Sequence, residues 1–442
     1  MPRLLIRNVD VLTLDEADRI LLNSLVAIDG KQIVGVDRVP DDFVPDATID
    51  GANHVVLPGL FNAHAHAPMT LQRGWAEDLD ITRWFNERIW VAESALTEQD
   101  VYWGAALAAC EMIRGGTVAF ADHYFWEPQV AHVVEEAGMK ALLGWCVFGS
   151  EAAPEIGPTT LELTVEFVRE FQNFAEGRVR TLLAPHSPYI SSRPFLERAA
   201  RAAREIGVGC HIHAAETREQ YENSLREHGQ TPVAYLAGLG IFDNPGIVAH
   251  AIHLDGPDIE ILREKKMTVV QCPKTHMKLA MGTTRVLALL AAGVNVALGT
   301  DGPPSNNDLD MLGATRLAAL LQKHECRDAA VLPSSEALKL ATANGARAMG
   351  FANSGVIREG ADADLILIDM DKPHLLPRHD LAANAVHSAR GGDIDHVIVD
   401  GRILMRKGEL ITLDEEKIKR EAEARAFRLV NSEHTQTQTY RS

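Results

Sequence analysis

The sequence predicts an α/β protein: a (β/α)8 or TIM barrel, joined by a small β-sandwich domain built from both chain termini. Three observations carry this expectation. The middle of the 442-residue chain alternates short apolar runs with longer helix-like stretches. The two ends share a different texture, with period-two alternation and tight-turn residues. The unusual polar residues of the middle fall where its apolar runs end, which in a barrel of this kind is one face.

The first elements are short strands, "RLLIRNVDVLTL", "SLVAIDG" and "QIVGVD", separated by Asp-Gly-Lys turn chemistry. Eight apolar runs follow: "VVLPGLFNAHAH", "TVAFADHYF", "KALLGWCVF", "VRTLLAPHSPY", "VGCHIHAAE", "GIVAHAIHL", "TVVQCP" and "NVALGTDG". Between them lie "TEQDVYWGAALAACEMIRGG", "SRPFLERAARAAREIG" and "TRVLALLAAG", each stopping at glycine as a helix C-cap does. Strand texture returns in "DADLILIDM" and "IDHVIVDGRILMRKGEL", where Asp400-Gly401 reads as a hairpin turn. "DEEKIKREAEARAFRLVNSEH" reads as a charged surface helix with a loose polar tail. The expected division is 1–57 with 355–415 as the composite β-sandwich, 58–354 as the catalytic barrel, and 416–442 as the C-terminal helix and tail. No G-x-G-x-x-G or G-x-x-x-x-G-K-[ST] signature supports a doubly wound nucleotide-binding sheet instead.

Bulk properties narrow the function. Hydrophobic residues make up 46% and charged residues 24%, as in ordinary globular proteins. A formal net charge of −18 leaves no broad basic surface to neutralise phosphates. Nucleic acid and anionic membrane are therefore disfavoured as partners, and a small-molecule substrate is favoured. No apolar run approaches the length of about 20 residues that spans a bilayer. The N-terminus lacks an uninterrupted signal-peptide core. The five scattered cysteines form no C-x-x-C pair, which excludes the common thiolate zinc sites and fits reduced thiols in a cytoplasmic protein.

His64 and His66 end the first barrel run, His186 the fourth, His213 the fifth with Glu216 just beyond, His250 the sixth and Asp301 the eighth. Residues i and i+2 of a strand project to one side, so His64 and His66 can grip one ion together. Singly, each has a plain structural explanation. A strand-end histidine is often a hydrogen-bonded core residue, the expectation for His211 and His253, and Asp301 before Gly302-Pro303 could be a turn aspartate. Their joint placement on one predicted face points to a metal site.

The stretches "PGLFNAHAHAPMTLQRGWAEDL", "HIHAAET", "VAHAIHL" and "LGTDGPPSNNDLDML" resemble the amidohydrolase superfamily. They are most similar to its branch of S-adenosylhomocysteine/5′-methylthioadenosine deaminases and related aminohydrolases. The resemblance implies a single metal ion per subunit, Zn2+ with Fe2+ as the alternative, held by His64, His66, His213 and Asp301. It implies Glu216 as proton shuttle, His250 as the group orienting the attacking water, and Asp301 as a proton carrier as well as a ligand. On the substrate side it implies Trp84 packing on the substrate, Glu93 binding ribose hydroxyls, His186 facing a purine ring and Ser305 at the pocket mouth. His123 and Trp126 after the second strand, and His276 in "CPKTHMKLAMG", are unusual additions near the mouth, and His123 is the best placed to shape specificity. Residues 145–168 contain no Arg or Lys to meet the amino-acid carboxylate of S-adenosylhomocysteine, which disfavours that substrate.

The expected activity is thus metal-dependent hydrolytic deamination of an aminopurine-type ring, in a nucleoside such as 5′-methylthioadenosine or adenosine. Two alternatives share the metal kit: hydrolysis of an s-triazine, pterin or cyclic amide, and a non-catalytic metal-binding barrel. Retention of Glu216 and His250 speaks against the second, since a structural metal site needs neither. The sequence leaves a homo-oligomer open.

Overall fold

The computed structural model describes residues 3–149 and 159–431 of the chain. "VVLPGLFNAHAH" folds as two strands that belong to different sheets, where one was expected. His54–Pro58 pairs antiparallel with Leu365–Asp369 and parallel with Leu4–Leu12, whereas Leu60–Ala65 opens the barrel. The break is Gly59, where a Cβ would stand 2.2 Å from a Val118 methyl, so only glycine lets the chain pass from one sheet to the other.

Both chain ends hydrogen-bond into one nine-stranded sheet among the described residues. On one side of His54–Pro58 lie Leu4–Leu12, Ile20–Asp29 and Gln32–Val36, with Ala47–Asp50 pairing in parallel with Leu4–Leu12, and on the other lie Leu365–Asp369, Ile394–Val399, Arg402–Arg406 and Glu409–Leu410. The Asp400-Gly401 turn has φ of 48° and 73°, the two left-handed residues of a type I′ hairpin. Ile6, Val26, Ile33, Val56, Leu367 and Ile398 form a satellite core under this sheet.

The barrel strands, in order, are Leu60–Ala65, Thr117–Tyr124, Lys140–Val147, Val179–Thr181 continuing at Ala184–Pro185, His211–Ala214, Ile247–His250, Thr268–Gln271 and Asn295–Leu298. They pair in parallel as two arcs, the first four strands and the last four. Two bridges close the circle: Leu183 with Cys210 joins the fourth strand to the fifth, and Ala65 with Asp301 joins the first to the end of the eighth. Asn62 and Thr300 reinforce the second seam with a reciprocal pair of bonds at 2.7 and 3.0 Å.

The outer helices start and stop on local signals. Glu98–Arg114 begins at a capping box between Thr97 and Asp100. Arg193–Ile206 ends at Gly207 in the left-handed region. Val286–Ala291 is shorter than "TRVLALLAAG" suggested, because Thr284 and Arg285 are drawn into the loop, Thr284 by a hydrogen bond to the His250 carbonyl. The helix Glu415–Asn431 lies on Glu98–Arg114, tied by Arg114 to Glu415 and by Arg425 and Arg428 to Asp100. The polar tail expected beyond it, 432–442, lies outside the described residues. All five cysteines are unpaired, and all but Cys326 are buried. Among the described residues no helix is long and apolar enough to cross a membrane.

Candidate metal centre and substrate cavity

Closure of the barrel sets the ligand geometry. The Asp301 N–H donates to the His64 carbonyl at 2.9 Å, so the first and eighth strands deliver their polar ends side by side. Gly299 makes that approach feasible, since a Cβ there would lie 2.7 Å from the His64 carbonyl oxygen. One donor atom from each of His64, His66 and Asp301 lies within 4.8 Å of the others, and the same holds for His64, His213 and His250. Asp301 Oδ1 stands 3.1 Å from His66 Nε2 and 3.5 Å from His64 Nε2.

The remaining imidazole nitrogens are already committed. His66 Nδ1 meets the His123 carbonyl at 2.7 Å, His213 Nδ1 meets the His186 carbonyl at 2.9 Å, and His64 Nδ1 meets His211 Nε2 at 2.8 Å. Carbonyls can only accept, so His66 and His213 carry a proton on Nδ1, and as neutral rings they would each offer an Nε2 lone pair to a cation at the centre. His64 Nε2 is fully buried and meets no hydrogen-bond partner among the described residues. Burial pushes the His64 imidazolium value down to about 4, against the pull of Asp301, so the ring is neutral. A buried, unpartnered imidazole nitrogen beside two others and a carboxylate is the donor set a divalent cation takes, with outer partners fixing each ring. The residues present fit a metal ion.

Asp301 and Glu216 are braced separately. Ser305 donates to Asp301 Oδ2 at 2.9 Å, and Tyr189 donates to Glu216 Oε2 at 2.7 Å, leaving Glu216 Oε1 3.7 Å from His250 Nε2. His250 and Asp301 sit at φ of 71° and 64°, which for residues with a Cβ costs about 1–2 kcal/mol each. Strain of this kind gathers at sites whose surroundings over-determine the backbone.

Above the centre opens a cavity walled largely by aromatic and histidine side chains. His66, Trp84, Glu93, His123, His186, His213, Glu216, His250, Asp301 and Ser305 all line it, so the structure brings together every predicted site residue except His64, which lies beneath the floor. Trp126 and His253 do not line it. His253 meets the Met281 carbonyl at 3.1 Å instead. Trp84 and Glu93 converge for a local reason. Residues nine apart point to opposite sides of a continuous α-helix, but a π turn, Phe85–Ile89, interrupts the helical run between them and changes the phase. Phe85, Trp90, Tyr124, Phe125 and Phe148 complete an aromatic wall, and among the described residues no Arg or Lys lines the cavity.

Glu93 is buried and accepts a hydrogen bond from the Tyr124 hydroxyl at 2.8 Å. Burial pushes its carboxyl up to about 7, with the Tyr124 bond pulling the other way. The fold thus favours the protonated form: this contribution to stability is full below the unfolded value of about 4.5 and is lost as pH rises through about 7. Glu93→Gln is expected to raise unfolding free energy at pH 8 by on the order of 2 kcal/mol and leave it nearly unchanged at pH 4. Urea titrations of both proteins at the two pH values check this, and identical pH slopes would refute it.

Several residues at the site carried no decisive sequence signal. His211, expected to be a core histidine, holds His64. Tyr189 and Tyr124 brace the two carboxylates from loops and strand ends, where a tyrosine is unremarkable until its partner is known. His276, noted only as unusual, reaches His250.

Comparison with known proteins agrees with the geometry. Residues 55–404 match the amidohydrolase family. The chain is 44% identical over 438 residues to a 5-methylthioadenosine/S-adenosylhomocysteine deaminase from Pelotomaculum thermopropionicum, covering 98% of this chain and 100% of that one. It is 48% identical over 385 residues to a protein of the same description from Dictyoglomus thermophilum, covering 87% and 90%. Among solved structures it is similar to a zinc-bound adenosine deaminase from Xanthomonas campestris, with a TM-score of 0.91 and 32% identity over 97% of this chain and 99% of that one.

Proposed function

The chain belongs to the amidohydrolase family and is a hydrolase of carbon–nitrogen bonds, and from that premise we propose that it deaminates a 6-aminopurine nucleoside, 5′-methylthioadenosine or adenosine. The observation that carries the reading is Glu216 and His250 set beside His64, His66, His213 and Asp301, at an aromatic cavity that no Arg or Lys lines among the described residues. The family and the zinc-bound relative point to a divalent metal. In this reading it is one Zn2+ per subunit, with Fe2+ the alternative, and His64, His66, His213 and Asp301 hold it. When bound, such an ion supplies an acidified water as nucleophile near neutral pH.

The chain's own residues do the rest. Trp84 and its aromatic neighbours sandwich the purine, and the free oxygen of Glu93 accepts from ribose hydroxyls while Tyr124 holds the other. His186 and His123 face the ring. Glu216, aligned by Tyr189, takes one proton from the attacking water and delivers it to ring nitrogen N1, which makes C6 electrophilic. His250 stabilises the charge that develops as water adds to C6. Asp301, held by Ser305, takes the second proton from the hydroxyl now on C6 and passes it to the amino group, which leaves as ammonia as the C6 carbonyl forms. The product is the 6-oxopurine nucleoside. This reading places the chemistry in a barrel domain, 58–354, and takes 1–57 with 355–415 as a small β-sandwich beside it. It takes 416–442 as an outer helix and tail. The buried, unpaired cysteines suit a reducing compartment, and the reading places the enzyme in the cytoplasm.

Ammonia release from a panel of nucleosides, pterins and triazines tests the proposal. Zinc-loaded enzyme should turn over 5′-methylthioadenosine or adenosine, with S-adenosylhomocysteine at least about tenfold poorer in kcat/KM for want of a cation to meet its carboxylate. Chelation should abolish turnover, and zinc should restore it. Preference for a triazine or pterin, or silence across the panel, would overturn the reading.

A further inference from the structure

Building on the role proposed for His250, we infer that His276 is a positioning residue that holds the His250 imidazole with its proton on Nε2, facing Glu216 and the cavity. His276 lies on the short helix Pro273–Lys278, directly after the seventh barrel strand, and is fully buried. Its Nε2 stands 3.2 Å from His250 Nδ1, and its Nδ1 meets no hydrogen-bond partner among the described residues.

Between two neutral rings only one can donate across that contact, and the two arrangements differ in what they leave behind. If His250 donated from Nδ1, His276 would carry its proton on Nδ1, a buried N–H without an acceptor. His250 would then turn a bare lone pair toward the Glu216 carboxylate, 3.7 Å away. If His276 donates from Nε2, the orphan is a bare ring nitrogen, and His250 turns an N–H toward Glu216. An unpaired buried N–H is rarer than an under-satisfied acceptor, and lone pair against carboxylate is repulsive, so both comparisons select the second arrangement. Burial, reinforced by the neighbouring His250, holds His276 well below the usual histidine range, so it donates as a neutral imidazole.

The result is a His250 that can only donate from Nε2. That is the polarity needed to hold an attacking water by its oxygen and to stabilise negative charge there. The same helical turn braces the other side of the site. Thr275 donates to the Ser305 hydroxyl at 3.2 Å, and Ser305 holds Asp301 Oδ2. Two consecutive residues thus align two reacting groups from behind. Cys272 lies close enough to His250 and His276 for the three to form a cation site. Burial and the nearby Asp301 and Glu216 charges keep its thiol protonated, however, which favours the hydrogen-bonded pair.

The test uses full-length, zinc-loaded enzyme with His276→Leu and His276→Gln. Leucine removes the donor, whereas the glutamine amide places an N–H near the lost Nε2. His276→Leu is expected to lower kcat by about 10- to 100-fold with KM changed less than about threefold, and His276→Gln to recover most of kcat. Imidazole 15N shifts in histidine-labelled protein should show His250 protonated on Nε2 in the wild type and in His276→Gln. Unchanged kcat in His276→Leu, equal losses in both variants, or a His250 proton on Nδ1 would overturn the inference. So would a second equivalent of metal that is lost with Cys272→Ser. If the wild type deaminated nothing, only the deaminase reading would fall, since the spectra decide the tautomer independently.

Discussion

Glu216→Gln should reduce kcat for nucleoside deamination by about 10^3-fold or more while leaving metal content unchanged. Glu216 is not one of the proposed ligands, His64, His66, His213 and Asp301. An amide oxygen can still accept from the Tyr189 hydroxyl, which now sits 2.7 Å from Glu216 Oε2, so the side chain should keep its place. What the amide cannot do is deliver a proton to the ring nitrogen, and positioned acid–base groups contribute about 10^2 to 10^4 in rate. The ring would have to accept the nucleophile unprotonated, which raises the barrier and leaves ground-state binding intact. Steady-state kinetics with parallel metal analysis would show a fall in kcat at nearly constant KM. A variant within tenfold of wild type would remove Glu216 from the mechanism.

Lys140→Met is expected to destabilise the fold by about 3–5 kcal/mol. Lys140 opens the third barrel strand at the end remote from the site, and its ammonium lies 2.6 Å from Asp364, 2.7 Å from Asp400 and 3.3 Å from Asp362. Ser354 adds a contact at 3.3 Å. The lysine side chain is only 3% exposed and that of Asp364 is fully buried, so water does little to screen what remains once the cation is gone. Burial by itself lowers a lysine's pKa, yet the Asp364 and Asp400 charges overcome it and hold the ammonium above its ordinary value. Because Lys140 ties the barrel to the sheet formed by the chain ends, its loss should loosen that junction first. Activity per folded molecule should stay near wild type, since the candidate metal centre lies at the opposite strand ends. Urea unfolding alongside kinetics measures both, and a loss under about 1 kcal/mol would show that the carboxylates find other partners.

Much of the barrel was legible because its signals are local. Apolar runs ending in polar residues, capping boxes such as Thr97 with Asp100, and the Asp400-Gly401 turn are each written in a few adjacent residues. The metal and proton-shuttle candidates were legible for the same reason, as each is the polar residue at or just past a strand end. The Gly59 break was less visible, because "VVLPGLF" is equally apolar on both sides of it and only contact with Val118 shows that the chain changes sheets. Tyr189, Tyr124, His211 and His276 could not be assigned from the chain, since their partners are 27, 31, 147 and 26 residues away.

By itself the sequence determined the barrel pattern and a set of polar strand ends that point to a metal site, because strand periodicity and residue chemistry are properties of short stretches. The ligand set and reaction class came from the resemblance of its motifs to the amidohydrolase superfamily. Only the tertiary structure decided which nitrogen of each histidine faces the centre, why Glu93 is easily protonated and which groups stand behind Asp301, Glu216 and His250. Proton placement and pKa depend on distance and burial, and those exist only once strands far apart in the chain close into a ring.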